Sequence, residues 1–241
     1  MSESPLEMSL SNSLPRFLPK KSGIRRTLRR VCDLMGRSNW DRTDLAKRTW
    51  DKDKDGHYQG RRIIDRDSRL NGGVWLGGER EALVVDFDKD EYLKGLYGQI
   101  MKKMERHYGG FRKSRALRLV YDEVDAAFPK RKREQVESFI EGQGYQPGAK
   151  AYLGNFIAGR TGECRHMALT CAAILEKMGD EGHLEGTARV NRNSQEKGAH
   201  GWCRYTTSTG VPYVLDVAGR YFGPVKESCG SSWNYFKPGD K

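Results

Sequence analysis

The sequence predicts an α+β fold, and three observations support this class. A stretch near residue 80 has two β-prone runs around a Gly-Gly turn. Apolar residues then recur at helical spacing until Pro129. Three short runs after residue 184 are rich in β-branched and aromatic residues and are separated by turn residues. Helices and strands are therefore both expected, within one compact unit that carries appended segments in a chain of 241 residues.

Residues 1–73 are predicted to be a basic arm that is largely extended or disordered. Its first 50 residues carry 11 Lys and Arg against 5 Asp and Glu, whereas the last 91 residues of the chain carry 11 against 9. Apolar residues at helical spacing predict a short amphipathic helix over residues 22–36. The stretch 36–73 mixes charge, Gly and Ser with little periodicity, so the domain boundary is placed near Gly73.

The arm also contains the opening of a calcium loop, D-x-D-x-D-G, from Asp51 to Gly56. Position twelve of such a loop is a bidentate Glu, but here it is Arg62, which repels the ion. The motif therefore predicts a polar turn or linker rather than a calcium site.

Residues 74–241 are predicted to form the folded domain. It begins with a β-hairpin over residues 74–88 and continues with three amphipathic helices. The stripes of these helices are interpreted as core. They are Leu93, Tyr97, Ile100 and Met104; Leu117, Val120, Tyr121, Val124 and Phe128; and Val136, Phe139 and Ile140.

Composition excludes several classes of protein. No run approaches the roughly 18 apolar residues of a membrane span, and the N-terminal residues lack the apolar core of a secretory signal. We therefore expect a soluble, cytoplasmic protein. The five cysteines are scattered without a C-x-x-C pair, which fits neither a disulfide framework nor a zinc site, so no metal or other cofactor is expected. These cysteines are Cys32, Cys164, Cys171, Cys203 and Cys229.

Cys164 is the first candidate for chemistry. The sequence GRTGECRHMALTCAAILEKMG places it where a loop gives way to a helix. At a helix N-terminus, the exposed amides and the dipole favour the thiolate over the thiol. His166 lies about 200° away around the same helix, at 100° per residue, so it is a poor partner for the sulfur. A base must come from elsewhere in the chain.

His200 and Asp216 are the candidates for that base and for its orienting acid. They lie in the strand-like runs GAHGWCRYTT and VPYVLDVAG, which follow a first run, EGTARVNRN. If the last two runs pair across the turn at residues 207–211, His200 and Asp216 come opposite one another. His200 would take the proton of Cys164 and deliver it to a leaving amine, while Asp216 would hold the tautomer and stabilise the imidazolium.

Together, G-E-C-R-H-M-A-L, A-H-G-W-C-R-Y and V-L-D-V resemble the transglutaminase-like superfamily of papain-type thiol enzymes. The resemblance covers residues 150–222. It implies an α+β core in which the Cys-bearing helix packs on an antiparallel sheet, with Cys164, His200 and Asp216 as a catalytic triad. The chain has no room for the extra domains of animal transglutaminases and lacks the C-x-x-C zinc ligands of peptide N-glycanases. It is most similar to the small single-domain members, which include thiol proteases and deamidases.

The expected function is thiol-dependent acyl transfer or hydrolysis on protein or peptide amides, through a thioester. A cysteine protease, a deamidase and a transglutaminase all remain open, because sequence does not choose between water and an amine as acceptor. The oxyanion would be held by the Cys164 backbone amide and by a second donor. Asn155, Gln146 and Gln143 are the candidates for that donor.

Two alternatives compete with this interpretation. The chain could be an inactive scaffold that binds nucleic acid or an acidic partner through residues 16–48. A metal site made of Cys164, His166, His200 and Cys203 is a poor fit, because C-x-H on a helix points its ligands apart. Cys171, Cys203 and Cys229 are interpreted as packing residues. Trp202 is interpreted as core, although in related folds the aromatic residue after the His shields the ion pair from water.

Overall fold

The computed structural model describes residues 56–66, 68–77, 80–108, 113–195, 198–237 and 240. Within these residues the chain forms helices and mostly antiparallel strands, which confirms the α+β class. The predicted helix over 22–36, the proposed binding segment 16–48, Cys32 and the first residues of the Asp51 motif lie outside the described residues.

The helices and strands alternate little along the chain. The helices are α1 (Glu91–Tyr108), α2 (Lys113–Ala127), α3 (Arg133–Gly142), α4 (Leu153–Ala158) and α5 (Cys164–Asp180). The strands are β1 (His57–Tyr58), β2 (Arg61–Arg62), β3 (Val74–Leu76), β4 (Ala82–Val84), β5 (Lys150–Tyr152), β6 (Thr187–Gln195), β7 (Gly198–Thr206), β8 (Pro212–Asp216) and β9 (Tyr221–Pro224).

The three predicted amphipathic helices are present as α1, α2 and α3. The stripe of α1 lies inside the protein, with Leu93, Ile100 and Met104 fully buried. A period of 3.6 residues places these side chains on one face, and burying that face stabilises the helix more than its own propensity does. No helix in the described part of the chain has the length and apolar character needed to cross a bilayer.

The largest sheet is antiparallel, in the order β6-β7-β8-β9. Helix α5 packs across β6 and β7. Its small residues, among them Ala168, Ala172 and Ala173, are buried and leave room for a close approach to the sheet. This packing holds the N-terminal end of α5, where Cys164 lies, beside the first residues of β7.

A second sheet has the order β3-β4-β5. Strands β3 and β4 form the predicted hairpin, with Trp75 opposite Leu83. Strand β5 adds to β4 in a parallel arrangement that the sequence did not predict. Such a pairing joins residues more than sixty positions apart, so local periodicity carries no signal for it.

The described part of the predicted arm corrects the boundary at Gly73. Strands β1 and β2 pair with each other, and Ile63 forms a bridge with Val74 of β3. Ile64 and Leu70 are fully buried. The Glu176 carboxylate on α5 accepts the backbone N–H of Leu70 at 3.0 Å. Residues 56–66 and 68–73 therefore belong to the folded unit. The prediction missed them because their isolated apolar residues are buried through non-local contacts, which periodicity does not reveal.

Candidate active site

A cleft of about 150 Å³ opens where the first turn of α5 meets the first residues of β7. It contains the side chain of Cys164 and the ring of His200. Its described lining residues are Trp75, Gly77, Arg80, Glu163, Cys164, Arg165, Arg192, Ala199, His200 and Gly201.

Cys164 is the first residue of α5 and is half-buried. Burial alone would raise the pKa of its thiol. The hydrogen bond with His200, the charge of that imidazole and a hydrogen bond from the backbone N–H of Gly201 together outweigh burial, so the pKa of Cys164 is lowered from its ordinary value of 9.0. Because the N–H of a first helical residue has no partner within the helix, the Cys164 amide is also available to an oxyanion.

His200 lies between the thiol and a carboxylate. Its Nε2 is 2.6 Å from Oδ2 of Asp216, which leaves Nδ1 for Cys164. The indole of Trp233 stacks on the imidazole, with ring centroids 4.5 Å apart and an 18° angle between planes. Burial alone would lower the pKa of His200, but the two hydrogen-bonding partners raise it to about 9. At neutral pH this geometry favours a thiolate–imidazolium pair.

Asp216 is 1% exposed and accepts hydrogen bonds from three groups. Besides His200, the phenol of Tyr235 donates to Oδ2 at 2.6 Å and the backbone N–H of Gly219 donates to Oδ1 at 2.7 Å. A Cβ at position 219 would lie 2.3 Å from Oδ2, so only glycine allows this approach. These three donors hold the Asp216 carboxylate in position and stabilise its negative charge in the absence of water.

The strand register departs from the predicted one. Strands β7 and β8 do pair across the turn at residues 207–211, with Cys203 opposite Leu215. Continuing that register by one residue places Asp216 level with Trp202, so His200 is offset by two residues. Expecting His200 directly opposite Asp216 was therefore wrong. The contact is diagonal, and diagonal partners on one face of a sheet are within reach of long side chains.

His166 lies in a separate buried network at the start of α5. Its Nδ1 accepts the backbone N–H of Glu163 at 2.9 Å, as the third helical residue does in a capping box. Its Nε2 is 3.1 Å from Oε1 of Glu81, and the same oxygen accepts Arg165 Nη2 at 2.6 Å. Burial is the main cause that lowers the pKa of His166, to about 4. The ring is therefore neutral, and its Nδ1 caps the N-terminus of α5 by accepting the Glu163 N–H.

The three predicted second oxyanion donors lie outside the cleft. The Asn155 amide donates to the hydroxyl of Tyr145, and none of the three lines the cavity. Gln143 is the C-cap residue directly after α3 and is exposed, as is Gln146 in the loop that follows. Their sequence positions before Cys164 suggested nearness, but Asn155 lies within α4, the two glutamines precede that helix, and none of the three lines the cleft. This part of the prediction is corrected.

The other described cysteines are packing residues, as expected. Cys171 and Cys203 are fully buried, and burial raises the pKa of both. Cys229 is partly buried against the cluster that contains Trp202, and Trp202 itself is fully buried. No group of three or more His, Cys, Asp or Glu side chains among the described residues is arranged to hold a metal ion.

Sequence reasoning missed four contributors to this site. Trp233 and Tyr235 come after the predicted motif region, and their contacts with His200 and Asp216 need the C-terminal segment to fold back over the sheet. Glu81 carries no local pattern that links it to His166, and Gly201 contributes only its backbone. Trp233 and Tyr235 stand in an aromatic-rich run, SSWNYF, which was the one available signal.

No protein-family model, curated protein or solved structure matches this chain.

Proposed function

We propose that the protein is a thiol-dependent acyltransferase or amidohydrolase acting on carboxamide or peptide groups. The observation that carries this proposal is the continuous hydrogen-bonded chain from Cys164 through His200 to Asp216, opening into a cleft. Nucleophile, base and orienting acid in hydrogen-bonding contact are the signature of covalent catalysis. The resemblance to the transglutaminase-like superfamily supports the same chemistry.

The reaction begins with attack of the Cys164 thiolate on the carbonyl carbon. A C–S bond forms, and the carbonyl electrons move to oxygen to give a tetrahedral oxyanion. His200 then donates its Nδ1 proton to the leaving nitrogen, the C–N bond breaks and a thioester remains. Water or an amine next gives a proton to His200 Nδ1 and attacks the thioester. The C–S bond breaks and the thiolate returns.

The oxyanion would be bound by the backbone N–H of Cys164 at the start of α5. In place of Asn155, Gln146 and Gln143 we propose Trp75 as the second donor, because it lines the cleft and its side chain carries a neutral indole N–H.

The proposal is tested with one glutamine-rich protein substrate and three readouts. Peptide cleavage reports a protease, ammonia release without added amine reports a deamidase, and incorporation of a primary-amine probe reports a transglutaminase. Cys164→Ala is expected to abolish whichever product forms. Cys229→Ala removes a partly buried thiol outside the cleft and is expected to retain it.

The same samples are treated with iodoacetamide at pH 6 and mapped by mass spectrometry. Selective labelling of Cys164 is expected, since only a thiolate reacts at that pH. Uniform slow labelling of all thiols, with no product in any assay, would overturn the proposal and favour the basic binding protein.

A further inference from the structure

The C-terminal segment, residues 228–237 with Asp240, lies along one face of β7. Residues 228–237 form neither a helix nor a strand, so the segment is held by separate contacts rather than by a strand ladder. Because side chains alternate along a strand, His200, Trp202 and Arg204 share the face of β7 that the segment covers. The two ends of this face therefore carry the imidazole of the site and an arginine.

Two aromatic side chains of the segment contact the His200–Asp216 pair. Trp233 stacks on the His200 ring, with centroids 4.5 Å apart. Tyr235 donates to Oδ2 of Asp216 at 2.6 Å, and its ring meets the edge of Trp202 at a centroid distance of 5.0 Å. A hydrogen bond between charged groups is stronger where water is excluded. The placement of the segment therefore affects the orientation and charge of His200.

The segment is attached to the far end of the same face through Arg204. The guanidinium donates to both carboxylate oxygens of Asp240, and Nη1 is 2.9 Å from Oδ2. The two side chains are 10% and 11% exposed, so water and salt screen this ion pair little. A bidentate arginine–carboxylate pair also fixes the relative orientation of its partners, because both N–H groups must stay aligned.

Asp240 connects this attachment to the rest of the segment. Its Oδ2 also accepts the backbone N–H of Lys237 at 2.6 Å, and its own backbone N–H donates to the Lys237 carbonyl at 3.0 Å. These two hydrogen bonds close a turn of the kind that Asp side chains stabilise. Arg204 also reaches the carbonyl of Tyr235, with Nη1 3.5 Å from the oxygen. The arginine therefore contacts the segment at two points.

We propose that the Arg204–Asp240 ion pair positions the catalytic imidazole by holding the C-terminal segment in place. The inference rests on the proposed function and adds two positioning residues to it. Neither residue is among the described residues that line the cleft, so their effect passes through the aromatic side chains of the segment. Without the ion pair, water reaches the His200–Asp216 pair more easily. The imidazolium, and the Cys164 thiolate that it stabilises, are then less favoured at low pH.

The test measures the rate constant of iodoacetamide at Cys164 in the full chain, at pH 6 and at pH 9.5, by mass spectrometry. At pH 9.5 a thiol is ionised even without a partner, so the ratio of the two rates reports the support given by the imidazole. Arg204→Gln and Asp240→Asn are each expected to lower this ratio about fourfold, while the rate at pH 9.5 stays within about twofold of wild type.

Three further variants distinguish positioning from loss of stability. The double variant of Arg204→Gln and Asp240→Asn should lower the ratio no further than either single change, since both remove the same ion pair. Arg204→Lys keeps the charge and is expected to retain most of the ratio. The matched control is Arg61→Gln, which breaks an ion pair of similar burial with Asp86, just after β4. It should lower the free energy of unfolding, measured by urea denaturation, and leave the ratio unchanged.

The outcomes separate this inference from the proposed function. Rapid labelling of wild-type Cys164 at pH 6, with the same ratio in folded Asp240→Asn, overturns the positioning role and leaves the thiol chemistry standing. An equal fall of the ratio in Arg61→Gln also overturns it, because general loosening of the fold then explains the effect. Slow labelling of the wild-type protein at pH 6 refutes the proposed function itself. If Arg204→Gln does not fold, Asp240→Asn decides the test, since it keeps the shape of the carboxylate.

Discussion

Two buried histidine–carboxylate pairs lie in the described part of the chain, and the pKa values of their histidines are shifted in opposite directions. His200 pairs with Asp216 at 2.6 Å, and the pKa of this histidine is raised to about 9. His166 pairs with Glu81 at 3.1 Å, and the pKa of this histidine is lowered to about 4. Both rings are largely removed from water, so burial alone does not explain the difference.

The remaining neighbours decide the charge. His166 accepts a backbone N–H at Nδ1 and lies beside the Arg165 cation, and both arrangements disfavour a second ring proton. His200 instead faces a thiol that becomes an anion. An imidazole and a carboxylate thus form part of a helix start in one place and of a proton-transfer group in the other.

His200→Ala is expected to have the largest effect. Without the imidazolium, the Cys164 thiol loses its main stabilising partner and its pKa returns toward the ordinary range. The iodoacetamide rate at pH 6 should then fall on the order of 100-fold. An unchanged rate in a folded variant would show that the helix N-terminus alone ionises the sulfur.

Glu81→Gln and Asp216→Asn form a mirrored pair of tests. Glu81→Gln breaks a buried ion pair and is expected to lower the free energy of unfolding by about 3 kcal/mol, measured by urea denaturation. Labelling of Cys164 in the folded variant should stay within about threefold of wild type. Asp216→Asn should lower the labelling rate about tenfold, because His200 loses its carboxylate. Equal losses of Cys164 reactivity in the two variants would contradict the assignment of Asp216 to the reactive site and of Glu81 to the structural network around His166.

The pH dependence of stability sharpens the comparison further. The pKa of His166 in the folded protein lies below its unfolded value of 6.5, so its contribution to stability is complete above pH 6.5 and is lost as the pH falls toward about 4. The expected slope is at most about 1.4 kcal/mol per pH unit. His166→Asn should remove that part of the slope in urea titrations between pH 4.5 and 7. Superimposable slopes for the two proteins would mean that His166 is protonated when folded.

Tyr235→Phe is expected to have the smallest effect. It removes one of three hydrogen bonds to the Asp216 carboxylate and leaves the packed aromatic ring in place. The unfolding free energy should fall by about 1–2 kcal/mol, since a buried acceptor loses a donor. Labelling of Cys164 should change about twofold. A loss as large as that of Asp216→Asn would make Tyr235 a main determinant of the His200 charge.

The sequence was informative where a pattern is local. Helical stripes predicted α1, α2 and α3, and turn residues separated the runs that became β7 and β8. Residue type and order singled out Cys164, His200 and Asp216, which the structure brings together. The expectation that His200 faces Asp216 was two residues off, because the turn at residues 207–211 sets Thr206 opposite Pro212, and that register brings Trp202 level with Asp216.

What the sequence did not reveal depends on long-range folding. Glu81 and His166 meet across 85 positions, and Tyr235 reaches Asp216 only after the C-terminal segment returns over the sheet. The oxyanion candidates failed for the same reason, because closeness along the chain is not closeness in space once a helix intervenes. Residues 56–66 and 68–73 pack through scattered apolar side chains, such as those of Ile64 and Leu70, that have no regular spacing.

The most direct test is an imidazole ¹⁵N NMR measurement at pH 7.5, with resonances assigned from His166→Asn and His200→Ala. The account predicts that His200 is an imidazolium with both ring nitrogens protonated, while His166 is neutral with its proton on Nε2. Removing the thiolate with Cys164→Ala should lower the pKa of His200. A neutral His200 at pH 7.5, unchanged by loss of Cys164, would contradict the claim that the thiol and this imidazole share an ion pair.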